Sequence, residues 1–405
     1  MIWEDLGILD WVVLGALSLC TLFQVYFYAR YMAAPARKIR RDRRMDRKND
    51  QMVNDQMVNA LGVSVILCAH NEGYNLSQFL PALLTQDYPL YEVIVVDDGS
   101  EDDTRAVVES FMAQDAKLHM TFVPCGARVR STKKLALTLG AKAAQYDLLL
   151  LTDADCVPES AHWISEMVKG FGNVQGGNVQ STKDIVLGFG AYFAEEGHIN
   201  RLVRYDTLFN GLHYLGAALC GHPYMGVGRN LAYRKSLFFE TGGFTRLMDT
   251  RAGDDDLFVN HVATRTNTSV AVSRESYTWS VSKKTFKEWW QQKRRHLSVS
   301  PAYRPVTKFR LTIEPLTRGL FYLALMVVIA YSLYPLPCGE GRGEVLYMAL
   351  LLFLIRWVMQ TAVLNVSARR MGLKRFNMFS VLWFDIVLPL VNLWMLIVPK
   401  KQTKW

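Results

Sequence analysis

The chain has 405 residues, 50% of them hydrophobic, and a formal net charge of +9. That length accommodates one large domain with additions, or two domains. The six cysteines are scattered and form no C-x-x-C pair, so neither a disulfide framework nor a zinc site is indicated. The positive charge is concentrated beside apolar segments and therefore says little about a substrate.

The first apolar run, Ile8–Tyr28, is long enough to cross a hydrocarbon core of about 30 Å. No small-residue cleavage site follows it, so it predicts a retained anchor and not a signal peptide. Eight basic residues then lie between Arg37 and Lys48, and the positive-inside rule assigns them to the cytoplasm. Nucleic-acid binding is the other interpretation, but the position after a hydrophobic span favours a membrane surface. We therefore expect a membrane partner and no nucleic acid.

The next part of the chain alternates between short apolar strands and helices. The sequence predicts strands at 63–69, 92–96, 118–124 and 147–151, and helices at 75–86, 102–114 and 133–144. Continuous apolar strands separated by helices favour a parallel sheet covered on both faces. No G-x-G-x-x-G or P-loop pattern follows any strand, which argues against those two modes of nucleotide binding.

Polar clusters follow three of these strands, at His70–Glu72, Asp97–Ser100 and Asp153–Asp155. In such sheets ligands bind beyond the carboxyl ends of the strands. Asp153 and Asp155 repel each other unless a cation or a proton lies between them. The pair therefore predicts a divalent metal site, and an exposed acidic turn is the alternative.

Three further apolar segments follow, at about 318–336, 345–365 and 377–398. The slightly acidic loop 335–344 and the basic loop 367–375 predict an outside and then an inside connection. The basic tail 399–405 disagrees with four full crossings. The last segment therefore either crosses or is re-entrant, with a bend at Pro389.

Two charged residues lie deep inside these segments. Arg356 is near the middle of 345–365, and Asp385 lies within 377–398. With a rise of about 1.5 Å per residue, antiparallel helices would place the two at the same depth. Charges at such depth are costly and usually pair, so we expect a buried ion pair. The alternative is that Arg356 reaches the interface and Asp385 lies near the headgroups.

Seven motifs occur in the order SVILCAHNE, EVIVVDDGSEDDT, STKKLAL, LLLLTDADC, GRNLAYRKSLFFETGGF, GDDDL and QKRRH. In this order they resemble membrane-associated glycosyltransferases of family 2, which include cellulose and hyaluronan synthases and many bacterial lipid or polysaccharide glycosyltransferases. The resemblance implies an α/β, Rossmann-like GT-A domain that transfers from a nucleotide-diphospho-sugar, together with transmembrane helices.

The resemblance and the apolar runs together divide the chain into six parts. These are a transmembrane anchor (1–30), a basic cytoplasmic linker (31–61), the GT-A domain (62–300), an interfacial segment (301–317), the C-terminal transmembrane segments (318–398) and the basic tail (399–405).

The family's D-x-D motif matches Asp153 and Asp155. The resemblance implies that they hold Mg²⁺ or Mn²⁺ against the donor's diphosphate, with Asp155 as the more direct ligand. A hard divalent cation takes oxygen ligands and bridges phosphate oxygens, which makes the paired carboxylates tolerable.

Similarity to the family assigns Asp97 and Asp98 to the nucleoside and Glu72 to the first nucleotide-contacting motif. That motif carries histidine here in place of the commoner tyrosine. Lys133 matches a lysine that faces the diphosphate, but Thr132 replaces the usual glycine before it. A solvated helix lysine is the alternative for Lys133.

The family's base motif ends in an aspartate that takes the proton of the acceptor hydroxyl. Aligned on Leu257, that aspartate is Asp255, or Asp256 if the register slips by one, and Asp254 stands where the family usually has glutamate. Adjacent, partly buried carboxylates have the raised pKa that a general base needs. An acidic helix N-terminus is the alternative.

The family motif Q-x-x-R-W matches Gln292, Arg295 and His296, with histidine in place of tryptophan. Arg295 would hold the diphosphate and the His296 ring would face the acceptor. A register on Gln291 and Arg294 is also open. The alternative interpretation is an amphipathic helix at the membrane interface, with its two tryptophans at the level of the lipid headgroups.

The segment 226–235 resembles the family's acceptor-side loop. By this resemblance Gly228, Arg229 and Asn230 shape the sugar pocket.

The sequence thus predicts a metal-dependent, inverting glycosyltransferase of the inner membrane, with a cytoplasmic catalytic domain. Its donor is a nucleotide sugar, a UDP-sugar in preference to a GDP-sugar, and its acceptor a membrane-embedded lipid or glycan of the cell envelope. A processive polysaccharide synthase is the alternative among enzymes, although the missing tryptophan argues against it. A non-catalytic membrane scaffold that keeps a nucleotide-sugar fold is the alternative from another class.

Overall fold

The computed structural model describes residues 7–46, 61–124, 126–127, 129–172, 174–175, 178–179, 183–248, 250, 252–333 and 342–397. The end of the basic linker, most of the acidic loop and the basic tail lie outside these residues. The chain forms two compact units. The sheet unit is Ala34–Arg304 with Arg370–Gly372, and the helical unit falls within Met1–Ala33, Pro305–Arg369 and Leu373–Trp405.

The strands and helices are numbered in chain order. The strands are β1 (Val63–Ala69), β2 (Tyr91–Asp97), β3 (Leu118–Phe122), β4 (Leu148–Leu151), β5 (Cys156–Pro158), β6 (Val174–Gln175), β7 (Asn178–Val179), β8 (Ile185–Leu187), β9 (Gly190–Tyr192), β10 (Leu231–Arg234), β11 (Thr268–Val270) and β12 (Thr278–Ser280). The helices are α1 (Ile8–Phe27), α2 (Ala34–Asp46), α3 (Gly73–Leu84), α4 (Thr104–Met112), α5 (Thr132–Ala143), α6 (Trp163–Val168), α7 (His198–Leu219), α8 (Lys235–Glu240), α9 (Asp256–Val262), α10 (Phe286–Leu297), α11 (Pro305–Leu333), α12 (Arg342–Arg370) and α13 (Met378–Ile397).

The central sheet has the strand order β11-β8-β10-β4-β1-β2-β3. The four predicted strands β1 to β4 are present and pair in parallel. The predicted parallel pairing of these four strands is confirmed, but the complete sheet is mixed, because β10, where no strand was predicted, lies antiparallel to both β4 and β8. The apolar run of a short strand carries no information about its direction, so the sequence pattern did not reveal this reversal.

Helices cover both faces of the sheet. On one face the alternate residues Val65 and Leu67 belong to a core that includes Leu80 of α3 and Trp163 of α6. On the other face α5 packs closely, since a Cβ added to Gly140 would lie 2.6 Å from a methyl group of Ile66. This close packing fixes α5, and its first turn follows the carboxyl end of β3.

The helical unit contains α1, α11, α12 and α13. Four stretches of the described chain are long and apolar enough to cross a membrane: Asp10–Met45, Pro305–Ser332, Gly343–Arg370 and Met378–Met395. Helix α13 continues through Pro389 without a break. The continuous helix disfavours a re-entrant bend at that proline.

A buried ionic cluster joins the helices of this unit, with its ion pairs on α11, α12 and α13. The predicted pair is confirmed: Nη1 of Arg356 lies 2.8 Å from Oδ2 of Asp385, which is 0% exposed. Asp385 also meets Nη1 of Arg318 at 3.1 Å and accepts hydrogen bonds from Tyr322 (2.6 Å) and Gln360 (2.8 Å). One carboxylate of α13 therefore binds side chains of both α11 and α12.

The rest of the cluster balances its charge. Arg318 forms a second ion pair with Glu314, at 2.8 Å, so two arginines face two carboxylates. Gln24 of α1 donates to the Glu314 carbonyl (3.1 Å) and to Thr317 Oγ1 (2.8 Å). The cluster thus links all four helices without net charge, as a buried polar network requires.

Removing one side of this cluster is expected to destabilise the helical unit. Asp385→Asn leaves two buried arginines with one carboxylate, and breaking such a pair typically costs ~3–5 kcal/mol. We expect Asp385→Asn and Arg356→Gln each to lower the melting temperature in detergent, and the double variant to lose less than their sum. Arg369→Gln, at an exposed position of α12, is the control. Strictly additive losses would contradict the pairing.

Candidate active site

The three predicted polar clusters lie at one edge of the sheet, because β4, β1 and β2 are adjacent and parallel. Asp97 pairs with Ala69 at the end of β1. The amide of Thr152 donates to the carbonyl of Ile66 at 3.2 Å, so Asp153 follows directly at the same edge. We call this the carboxyl edge.

Lys133, in the first turn of α5, contacts two distant carboxylates. Its ammonium lies 2.9 Å from Asp153 Oδ1 and 3.4 Å from Asp254 Oδ2. Although desolvation opposes the charge, these carboxylates raise the pKa of Lys133 well above its usual value. Burial likewise opposes ionisation of Asp153, yet Lys133 lowers the pKa of that carboxyl. One ammonium therefore links the D-x-D pair to the GDDDL motif, while the Lys133 side chain remains 44% exposed.

The D-x-D pair has the donor set that a hard cation needs. Donor atoms of Asp153, Asp155 and Cys156 lie within 4.8 Å of one another. Burial and the charge of Asp153 raise the pKa of Asp155, so a cation beside it would be stabilising. Burial also raises the pKa of the Cys156 thiol, which contacts Asp155 Oδ1 at 3.4 Å and stays neutral. The two carboxylates therefore fit Mg²⁺ or Mn²⁺ better than the thiol does.

The DDGS segment forms a tight turn at the end of β2. Asp97 Oδ1 accepts from the amide of Ser100 at 3.0 Å, and Gly99 has a φ of +69°. Glycine takes this conformation without steric cost. Burial raises the pKa of Asp98, although a hydrogen bond from Thr132 acts in the opposite direction. Asp98 therefore contacts the first turn of α5 as well.

The HNE segment turns sharply after β1. Asn71 has a φ of +56°, and its side chain accepts from the amide of Glu101 at 2.8 Å. Glu72 accepts a 2.5 Å hydrogen bond from Asn75. Burial raises the pKa of Glu72, and the charges of Asp155 and Asp153 add to the shift. Glu72 is thus electrostatically connected to the D-x-D pair.

Asp255 is the N-cap of α9. Its Oδ1 accepts from the amide of Asp256 and its Oδ2 from the amide of Gly228, both at 2.7 Å. Burial, helped by the charge of Asp254, raises the pKa of Asp255 to about 6. The side chain is only half-buried, so it combines a raised pKa with access.

Asp256 has less access. It is 6% exposed, and its carboxylate accepts from the Leu257 amide (2.7 Å) and from the Tyr303 hydroxyl (2.9 Å). Burial, followed by the charge of Asp255, raises the pKa of Asp256 to about 8. Its two oxygens are therefore engaged inside the unit, and Asp255 is the more accessible of the two carboxylates.

The three residues of the predicted acceptor loop have different environments. Gly228 donates its amide to Asp255. The Arg229 guanidinium lies 4.3 Å over the Tyr192 ring and donates to Ser280 Oγ at 3.1 Å. Asn230 is 0% exposed. Its side chain accepts from the Trp163 indole and donates to two carbonyls. Asn230 therefore holds the core beneath the loop and does not reach solvent.

Helix α10 directs its predicted face toward the same region. Gln292 donates to the Tyr192 hydroxyl at 3.2 Å, and Arg295 is among the cations that, after Lys133, lower the pKa of Asp153. Trp289 is 3% exposed and its ring contacts Phe286, so it does not fit the alternative interpretation, in which the two tryptophans lie at headgroup level.

Sequence patterns missed Tyr192 and Ser280. They lie on β9 and β12, which pair in parallel in a small three-stranded sheet. These strands are three residues long and belong to no motif, so only the fold reveals that both contact Arg229.

Comparison with known proteins agrees with this architecture. A mannosyltransferase of Pyrobaculum calidifontis, solved with GDP-mannose and Mn²⁺, superposes with a TM-score of 0.51 at 19% identity, covering 88% of this chain and 99% of that one. At that identity the likeness concerns the fold alone, and it confirms the predicted GT-A class.

Sequence relatives carry glycosyltransferase names. The poly-β-1,6-N-acetyl-D-glucosamine synthase of Staphylococcus epidermidis is 32% identical over 24% of this chain and 22% of its own length. A Bacillus subtilis protein named "Probable glycosyltransferase YdaM" is 26% identical over 58% of this chain and 54% of its own. Glycosyltransferase AglE of Haloferax volcanii is 31% identical over 30% of this chain and 40% of its own. The chain thus spans about half or less of the length of these relatives.

One family model accounts for nearly the whole chain. The model described as glycosyl transferase family 21 matches residues 28–405. This family is family 2-like, so the resemblance drawn from the seven motifs is confirmed. The chain belongs to glycosyl transferase family 21.

Proposed function

We propose that this protein is a metal-dependent inverting glycosyltransferase that moves a sugar from a nucleotide sugar to a membrane-embedded lipid or glycan acceptor. One observation carries the proposal: Lys133 links the D-x-D carboxylate Asp153 to Asp254, the neighbour of Asp255. A cation site, a diphosphate-facing ammonium and an accessible base thereby occur together, as transfer from a nucleoside diphosphate requires.

Donor binding is assigned to the carboxyl edge. Asp97, Asp98 and Glu72 supply acceptors for the nucleoside, and Lys133 and Arg295 supply positive charge for the diphosphate. Asp153 and Asp155 would hold a divalent cation, which would supply positive charge to neutralise the leaving diphosphate. The neighbour solved with GDP-mannose and Mn²⁺ supports this class of donor and metal. A UDP-sugar remains our proposed donor, with a GDP-sugar as the alternative.

Transfer is assigned to Asp255. The acceptor hydroxyl attacks the anomeric carbon, the bond from that carbon to the diphosphate oxygen breaks, and Asp255 takes the hydroxyl proton. The amide of Gly228 holds the carboxylate of Asp255 in place, while Arg229 and His296 line the acceptor side. A base whose pKa lies near 6 is ionised at neutral pH and still accepts a proton effectively.

The acceptor and the location follow from the apolar helices. Four helices that are long enough to cross a bilayer suit an acceptor held in the membrane. The basic run of α2 supports a cytoplasmic sheet unit by the positive-inside rule, and hence an inner-membrane enzyme with several crossings.

A processive synthase is the second candidate, favoured by the relative named poly-β-1,6-N-acetyl-D-glucosamine synthase. His296 in place of the family's tryptophan argues against it. Product length on a labelled donor separates the two, since a single-transfer enzyme adds one sugar.

Asp155→Asn tests the metal assignment. We expect purified enzyme to transfer sugar from labelled donor to membrane lipids, to lose activity in EDTA and to regain it with Mn²⁺. Asp155→Asn should abolish metal-dependent donor binding, because it removes one of the charges that balance the cation. Asp87→Asn, with a side chain 78% exposed, is the matched control. Normal donor binding in Mn²⁺ by Asp155→Asn would refute the assignment, and a wild type without any transfer would favour the scaffold.

Asp255→Asn tests the base. We expect donor affinity to persist while turnover falls by ~10²–10⁴-fold. If Asp256→Asn folds but is inactive, and Asp255→Asn remains active, the alignment of the base motif is wrong by one residue and Asp256 is the base.

The pH profile separates the same two carboxylates. A base works only when ionised, so activity is present above its pKa and is lost as pH falls through it. For Asp255 we expect kcat/KM to decline below about pH 6. A decline that begins near pH 8 would instead indicate Asp256.

A further inference from the structure

Lys134 is a buried cation beside the proposed site. It is 0% exposed. Its ammonium contacts the carbonyls of Leu247 (2.7 Å), Thr250 (2.8 Å) and Ala252 (2.8 Å), and Thr250 Oγ1 (2.7 Å). The three N–H groups of the ammonium are thus shared among four oxygen acceptors, and all four belong to Leu247, Thr250 and Ala252.

This arrangement is costly for packing alone. Among the described residues, no carboxylate is a hydrogen-bond partner of the Lys134 ammonium. Desolvation of a charge is expensive unless other groups compensate, and an aliphatic side chain would fill the same space without that cost. Burial accordingly lowers the pKa of Lys134, against the smaller opposing effect of Asp254 and its neighbours. The burial of a charged group at position 134 is therefore best explained by the hydrogen bonds that it donates to this segment.

The segment leads directly to the base. Ala252 is followed by Gly253, whose φ is +92°, and then by the three aspartates. Lys133 forms an ion pair with Asp254, and Lys134 donates a hydrogen bond to the carbonyl of Ala252. Two consecutive lysines in the first turn of α5 therefore fix the chain on either side of Gly253. The family resemblance assigns a role to Lys133 and none to Lys134.

We propose that Lys134 is a positioning residue, whose ammonium holds the carbonyls of Leu247, Thr250 and Ala252 and thereby sets the position of Asp255. This inference rests on the proposed function. Lys134 contacts neither the D-x-D pair nor the DDGS turn, so its removal should affect turnover and leave donor binding intact. A misplacement of about 1 Å at the reacting groups lowers turnover by up to ~10²-fold.

Chemical rescue of Lys134→Ala is the direct test. The missing atoms correspond to propylammonium, so we expect kcat to fall ~10–10²-fold, donor KM to change little, and n-propylamine to restore kcat saturably. Propanol, which lacks the charge, should not restore it. Lys142→Ala, at an exposed position of the same helix, is the matched control and should behave as wild type.

Lys134→Met keeps the unbranched side chain up to the position of Cε and lacks only the ammonium, so it guards against simple loss of folding. We expect it to retain most of the melting temperature and the donor KM, with the same loss of kcat. Wild-type kcat in either variant would overturn the proposal, and so would a loss of kcat in Lys134→Ala that propylamine does not restore.

Hydrogen exchange keeps this inference separate from the proposed function. Even if the wild type transfers no sugar, Lys134→Ala should speed exchange of the amides of 245–256 over those of Lys142→Ala. Unchanged exchange in that segment would show that Lys134 does not hold it.

Discussion

The ammonium of Lys133, placed between Asp153 and Asp254, is the contact on which the candidate site depends. Carboxylates gathered at one edge repel one another, and burial increases the cost of each charge. A single cation fixed by α5 relieves this repulsion for two motifs that lie far apart in the sequence. The raised pKa of Asp155 indicates that the relief is incomplete, which is the condition under which a divalent cation binds favourably.

The sheet makes this contact possible. Parallel pairing of β4, β1 and β2 brings three loops to the carboxyl edge, and Gly140 lets α5 approach Ile66 closely. The first turn of α5 then presents Lys133 to the carboxylates and Lys134 to the carbonyls of Leu247, Thr250 and Ala252. The close packing of α5 on the sheet at Gly140 thus determines where the Lys133 ammonium lies at the carboxyl edge.

Sequence patterns predicted the strands β1 to β4 and the pair Arg356–Asp385, because periodicity and membrane depth follow from local composition. They did not predict the antiparallel β10 or the contacts of Tyr192 with Arg229, which depend on tertiary pairing of short segments. Arg318 was also missed, since it lies at the end of an apolar run where a cation is unremarkable. The roles proposed for the site residues rest on the order of the motifs, and periodicity alone would have assigned none of them.

Anomalous scattering at the manganese edge, from the protein with Mn²⁺ and a nucleoside diphosphate, tests the metal and donor assignment most directly. We expect one peak at coordination distance from Asp153 and Asp155, in contact with the diphosphate, with the nucleoside beside Asp97 and Asp98. A peak elsewhere, or bound nucleotide with no metal at the two carboxylates, would contradict the central claim.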